Sequence, residues 1–123
     1  MTEIYNLFEW CDAIIISSPV YYRNINSKLM ALMERQYAVF NEKSLVNKVG
    51  GAITVGRGAG RASALSNIYT WMLSCGIICV PGELNGVTAI ASEKKEILNN
   101  EKYLIQAEIL GSNILRISEL LKK

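Results

Sequence analysis

The run Ala13-Ile14-Ile15-Ile16 shows no polar alternation, the pattern of a strand covered on both faces in a parallel sheet. Asp12 introduces it and Ser17-Ser18-Pro19 ends it. After a connection from Val20 to Asn26, Ser27 is the expected N-cap of a helix in which Leu29, Leu32, Met33, Gln36, Tyr37 and Phe40 recur at helical spacing as far as Asn41. A second βα unit starts with Val49 to Val55, passes through Gly56 to Gly60, and continues into a helix. There Leu65, Ile68, Tyr69, Met72 and Leu73 form one core-facing stripe. Gly76 sits where a helix C-cap is expected, Ile77 to Val80 reads as a third strand broken by Pro81-Gly82, and Gly86 to Ala91 adds a short extended piece. The last helix starts near Glu93 or Asn100 and aligns Tyr103, Ala107, Leu110, Ile114, Ile117 and Leu121, with Glu101, Glu108, Arg116 and Lys122 opposite. The order β-α-β-α-β-α predicts an α/β fold with right-handed crossovers and a parallel sheet.

Composition narrows the chemistry. The chain has 123 residues, half of them apolar, enough for one domain with one modest core. A net charge of +2, with the basic residues scattered, points to neither nucleic acid nor membrane as a partner. No apolar run approaches the roughly 20 residues of a membrane span, and the start lacks a basic signal flank, so a soluble cytoplasmic protein is expected. Cys11, Cys75 and Cys79 include no C-x-x-C pair and are expected as buried free thiols. The absence of histidine removes Ser-His-Asp and Cys-His nucleophiles and H-E-x-x-H zinc sites. No catalytic side chain and no metal site is therefore predicted, and chemistry is expected from a bound cofactor.

Ligands of open parallel sheets gather outside the carboxyl ends of the strands. The first loop there, Ser18-Pro19-Val20-Tyr21-Tyr22-Arg23-Asn24-Ile25, combines a rigid proline, two aromatic rings and a polar pair ahead of a helix. It can offer backbone N–H groups and an aromatic wall to a flat ligand, or its tyrosines can simply cover the sheet end. The second, Gly56-Arg57-Gly58-Ala59-Gly60-Arg61, lets the backbone approach a ligand and leads into a helix N-terminus that suits electron-rich atoms. It is neither a Rossmann fingerprint, which would need glycine at Arg61, nor a P-loop.

Taken together, Asp12 to Pro19, Tyr21, Tyr22, Asn24, Leu29 with Leu32, Lys48-Val49-Gly50, Gly56 to Gly60 and Gly76 to Val80 resemble the flavodoxin-like NAD(P)H-dependent FMN reductases, including the iron-sulfur flavoproteins and related quinone reductases. The resemblance implies a flavodoxin-like three-layer α/β/α fold with a parallel sheet. It implies FMN as cofactor, with NAD(P)H as the substrate delivering hydride. Cofactor-binding residues would be Ser18, Pro19, Val20, Tyr21, Tyr22, Asn24 and Ile25 at the isoalloxazine edge and ribityl chain, and Gly56, Arg57, Gly58 and Gly60 on the other side of the ring. Arg57 would place a cation near the flavin or a nicotinamide phosphate, or remain a solvated loop arginine. Arg23 stands where relatives often carry glycine, Cys75 stands near a position often held by histidine, and the cysteine cluster of some relatives has no counterpart.

The resemblance covers the later part of the family's domain, so residues 1–123 are expected as a single partial flavodoxin-like domain lacking the first two strands and the phosphate-binding loop. Thr2 to Trp10 would be the end of the second helix. The Ala13 to Ile16 strand would then be an exposed edge. A homo-oligomer, a dimer through that edge strand or the C-terminal helix, would cover it; a separate polypeptide supplying the missing half, or a wrongly assigned start, are the other readings. The expected function is an FMN-binding oxidoreductase completed by oligomerisation or a partner chain. Its alternative is a non-catalytic module that self-associates through the sheet edge. A third reading, another nucleotide-binding α/β domain using Gly56 to Gly60, would look to Glu83 for its ribose contact.

Overall fold

The computed structural model describes residues 1–123, the Phe40 side chain excepted, so that residue's place in the predicted stripe lies outside the described residues. In chain order the elements are α1 (Thr2–Trp10), β1 (Ala13–Tyr21), β2 (Asn24–Ile25), α2 (Ser27–Gln36), a 3-10 continuation over Tyr37–Glu42, β3 (Val49–Gly56) and α3 (Arg61–Ser74). They continue with β4 (Ile78–Cys79), β5 (Val87–Ile90), a 3-10 turn over Glu96–Asn99, and α4 (Glu101–Leu121).

β3 is the centre of the sheet. β1 runs parallel to it from Ala13 opposite Val49 to Pro19 opposite Val55. On its other side β4 pairs with Val49 and Gly50, and β5 with Ile53 to Gly56, both in parallel. The apolar run before Pro81 and the extended piece after Gly86 are thus two halves of one interrupted edge.

Two buried clusters line the two faces of the sheet. On one face Phe8, Met33, Leu65, Ile68 and Met72 from α1, α2 and α3 pack against Ile16 and Ala52. On the other, Leu110 and Ile114 of α4 pack with Val49, Val87 and Ala89. This is the three-layer α/β/α arrangement. Gly50 and Gly51 permit it: a Cβ on Gly50 would lie 2.6 Å from Ile77 Cγ2, and one on Gly51 would lie 2.8 Å from both Leu110 Cδ1 and Ile114 Cδ1. Hydrogen there lets helices close onto both faces of the central strand.

Several expectations need correction. β1 does not end at Ser17 but continues through Pro19 to Tyr21. The Asp12 carbonyl accepts from Val49 N–H, so even-numbered residues address β3 and Pro19 faces the open edge, where its missing N–H breaks no ladder bond. The connection after β1 is a hairpin, with β2 antiparallel through Val20–Ile25 and Tyr21–Asn24, so the sheet is not wholly parallel. Its central residues Tyr22 and Arg23 have φ of 48° and 64°, the left-handed pair of a type I′ turn. The cap of α2 is Asn26 rather than Ser27, since its side chain accepts the Leu29 N–H at 3.0 Å. Tyr37, Leu73 and Leu121 are exposed rather than core. β1 is not covered on both faces: Ile16 is buried, but Ile15 is 50% exposed, because α4 lies over β3 and β5. Among the described residues no helix is long and apolar enough to cross a membrane.

Candidate functional site

The two strand-end loops meet. A Cβ added to Gly60 would run into the Arg23 backbone and one on Gly56 would lie 3.0 Å from Val20 Cβ, so both glycines let the hairpin rest on the β3–α3 loop. Gly60 holds φ at 95°, a left-handed conformation that glycine adopts freely and other residues adopt at a cost of about 1–2 kcal/mol. A side-chain bridge adds to this: Asn67 Nδ2 of α3 donates to Asn24 Oδ1 at 2.8 Å, and the same oxygen accepts the Ile25 N–H at 2.8 Å.

Inside this joint the polar side chains are committed. Ser18, 1% exposed, donates to the Pro19 carbonyl at 2.8 Å and accepts from Asn26 backbone N–H and Nδ2 at 3.1 and 3.0 Å. Ser18 thereby holds the residue that caps α2. Thr54, fully buried on β3, donates to the Arg61 carbonyl at 2.9 Å and fixes the first residue of α3.

Of the residues expected at a ligand, Ser18 and Ile25 are buried and form the scaffold, Val20 is half-buried against the core, and Gly56 is buried beneath the loops. Asn24 is occupied by Ile25 and Asn67. Pro19, Tyr21, Tyr22, Arg57 and Gly58 are exposed around the joint, Tyr22 completely. A Cβ on Gly58 would meet nothing within 4 Å. The loops therefore form an open shelf. Arg23, Arg57 and Arg61 supply cations there, the loop residues 17–26 and 56–61 contain no carboxylate, and the start of α3 adds its positive dipole end.

Arg61 is the residue that sequence reasoning left out of the candidate site. Its Nε is buried with no hydrogen-bond partner, while its Cγ lies 3.2 Å from the Cβ position of Gly56. A buried, unpaired charged donor is costly, and it lies against the shelf. An arginine directly after a G-x-G-x-G loop, at the first position of a helix, was the signal available. An electron-rich ring edge with carbonyl and imine acceptors, as in FMN, fits a site of this donor set.

Cys11, Cys75 and Cys79 are free, Cys75 is buried and the other two half-buried, and burial pushes all three pKa values up.

The comparisons with known proteins agree with this architecture. Residues 1–90 match the family model described as NADPH-dependent FMN reductase. An iron-sulfur flavoprotein of Methanocaldococcus jannaschii is 31% identical over 127 residues, covering 98% of this chain and 66% of the relative's length. Among solved structures, a WrbA-like flavodoxin from Agrobacterium tumefaciens superposes with a TM-score of 0.84 at 14% identity, covering 98% of this chain and 74% of the other. A flavodoxin of Fusobacterium nucleatum bound to flavin mononucleotide gives 0.56 at 14% identity, over 97% and 75% of the two chains. The fold is flavodoxin-like, and the chain belongs to the NADPH-dependent FMN reductase family.

Proposed function

We propose that the chain binds FMN with its isoalloxazine ring on the shelf between the two strand-end loops and acts as an NAD(P)H-dependent reductase. The observation that carries this reading is the buried, unpartnered Arg61 Nε at the joint of loops in a chain of this family. When bound, FMN supplies the redox chemistry, taking hydride from a nicotinamide and passing electrons to an acceptor. The protein's own residues position it. Gly58 and the first turn of α3 present backbone N–H groups, Arg61 donates to an acceptor on the ring edge, and Arg23 and Arg57 favour the negative charge of the reduced state. Pro19, Tyr21 and Tyr22 offer apolar surface for the ring plane. No side chain acts as acid or base in this reading.

The chain spans 66% of the length of that iron-sulfur flavoprotein, and we propose that a second copy completes the assembly. Among the described residues β1 has no ladder partner on its outer side from Ala13 to Pro19, and Ile15 on it is 50% exposed. Two-fold antiparallel pairing of that edge would close it. The same observation supports a second reading, a self-associating module without catalysis.

Thermal melts with and without FMN, combined with light scattering, separate the two. A flavin-dependent rise in Tm supports the reductase reading, because a ligand of the native state must stabilise it. A stable dimer whose Tm is indifferent to FMN and NADPH supports the second.

A further inference from the structure

A second concavity lies away from the shelf. About 570 Å³ opens where the sheet edge is interrupted, between α3, the Pro81–Gly86 excursion and α4, a size within the usual range for small-molecule sites. The excursion is held in place. Asn113 Nδ2 of α4 donates to the Pro81 and Gly82 carbonyls at 3.0 and 3.3 Å. Tyr69 donates to the Val80 carbonyl at 3.2 Å and accepts the Ala52 N–H at 3.3 Å.

The walls divide by chemistry. Leu65, Pro81 and Leu84 give apolar surface for a flat ring. Around it stand the hydroxyls of Ser66 and Thr88 and the amides of Asn85 and Gln106, none of which makes a side-chain hydrogen bond among the described residues. The lining includes Glu83 and no lysine or arginine. A phosphate therefore finds no partner there, whereas an uncharged ring that both donates and accepts finds two planar amides, the groups that pair with purine edges.

We propose that this cavity binds an uncharged purine ring, as its free base or nucleoside, at a site separate from the shelf. The ring lies between Leu65 and the excursion, with its amino group and ring nitrogens facing Asn85 and Gln106. This inference stands independently of FMN binding, and its test uses the flavin-free chain.

Adenosine is titrated into isotope-labelled protein and followed by amide NMR shifts. The expected result is saturable shifts at Ser66, Thr88 and Gln106 with Gly56 to Gly60 unmoved, and AMP binding no more tightly than adenosine. Asn85→Ala and Gln106→Ala should each weaken binding about tenfold. Ala62→Trp, a substitution at an exposed position on the cavity wall, should abolish binding with the melting temperature preserved. Shifts confined to Gly56 to Gly60, no saturable shift, AMP binding far tighter than adenosine, menadione binding the cavity as well as adenosine does, or full affinity in folded Ala62→Trp would each overturn the proposal.

Discussion

Gly60 and Arg23 lie so close that no side chain fits between them: a Cβ on Gly60 would collide with the Arg23 backbone, and Gly60 itself sits at φ 95°. The contact joins the hairpin after β1 to the loop after β3, the two segments that frame the shelf. Gly60→Ala should therefore combine backbone strain with a forced separation of the loops, a loss of roughly 2–4 kcal/mol. Urea denaturation reads this directly. A loss under about 1 kcal/mol would show that the loops part easily.

Arg23 is strained on its own account. It occupies the second central position of a type I′ turn at φ 64°, where glycine is preferred. Arg23→Gly should raise stability by roughly 0.5–1 kcal/mol, measured as a higher midpoint in urea. A lower midpoint would mean that the arginine side chain contributes more through packing than the turn loses through strain.

Much of this was legible in the sequence, and the misses have physical causes. The stripe Leu65, Ile68, Met72 and the pair Leu110, Ile114 are buried as their spacing indicates, because each faces a sheet that must be covered. The hairpin at Tyr22-Arg23 was not legible, since neither residue carries the Asn-Gly signature of a type I′ turn. The extra length of β1 was hidden by Pro19, which reads as a breaker unless one knows that it faces an open edge. Asn26 was passed over for Ser27 because both can cap a helix, and only the Leu29 N–H bond in the folded chain decides between them. At the site, G-x-G-x-G and the loop before it named two segments that the fold brings into contact. Burial of Ser18 and Ile25 and the unpaired Arg61 Nε arise from tertiary packing, which periodicity does not report.

Arg61 gives an expectation with two signs. Arg61→Met keeps the aliphatic stem against Gly56 and removes the buried unpaired donor. The flavin-free chain should hold its stability or gain up to about 1 kcal/mol, while FMN affinity falls about tenfold or more. Calorimetric melts and flavin titration check the two halves separately. Equal FMN affinity in the variant would remove Arg61 from the site.

Tyr69 bridges the gap in the sheet edge, and Tyr69→Phe leaves the Ala52 N–H and the Val80 carbonyl without this partner. A loss of about 1–3 kcal/mol is expected, with faster hydrogen exchange at Ala52. Unchanged exchange there would mean that water replaces the hydroxyl.

Stability should also fall in alkali. Burial raises the folded pKa of Cys11, Cys75 and Cys79, and raises Tyr69 against the opposing Ala52 N–H. Groups whose folded pKa lies above the unfolded value favour folding fully below the unfolded value, about 8.5 for a thiol, and that contribution disappears as pH rises through the folded pKa. Denaturation midpoints should thus decline above about pH 8.5, and less steeply in Cys75→Ala than in the parent. A flat profile to strongly alkaline pH would contradict this.

Binding of the flavin ring on the shelf is read by titration with FMN and with lumiflavin, which has the ring but no ribityl phosphate. Quenched flavin fluorescence is expected with both ligands, with amide shifts concentrated at Pro19 to Asn24 and Gly56 to Arg61. Absence of quenching by either ligand, or shifts that leave both loops unmoved, would contradict it.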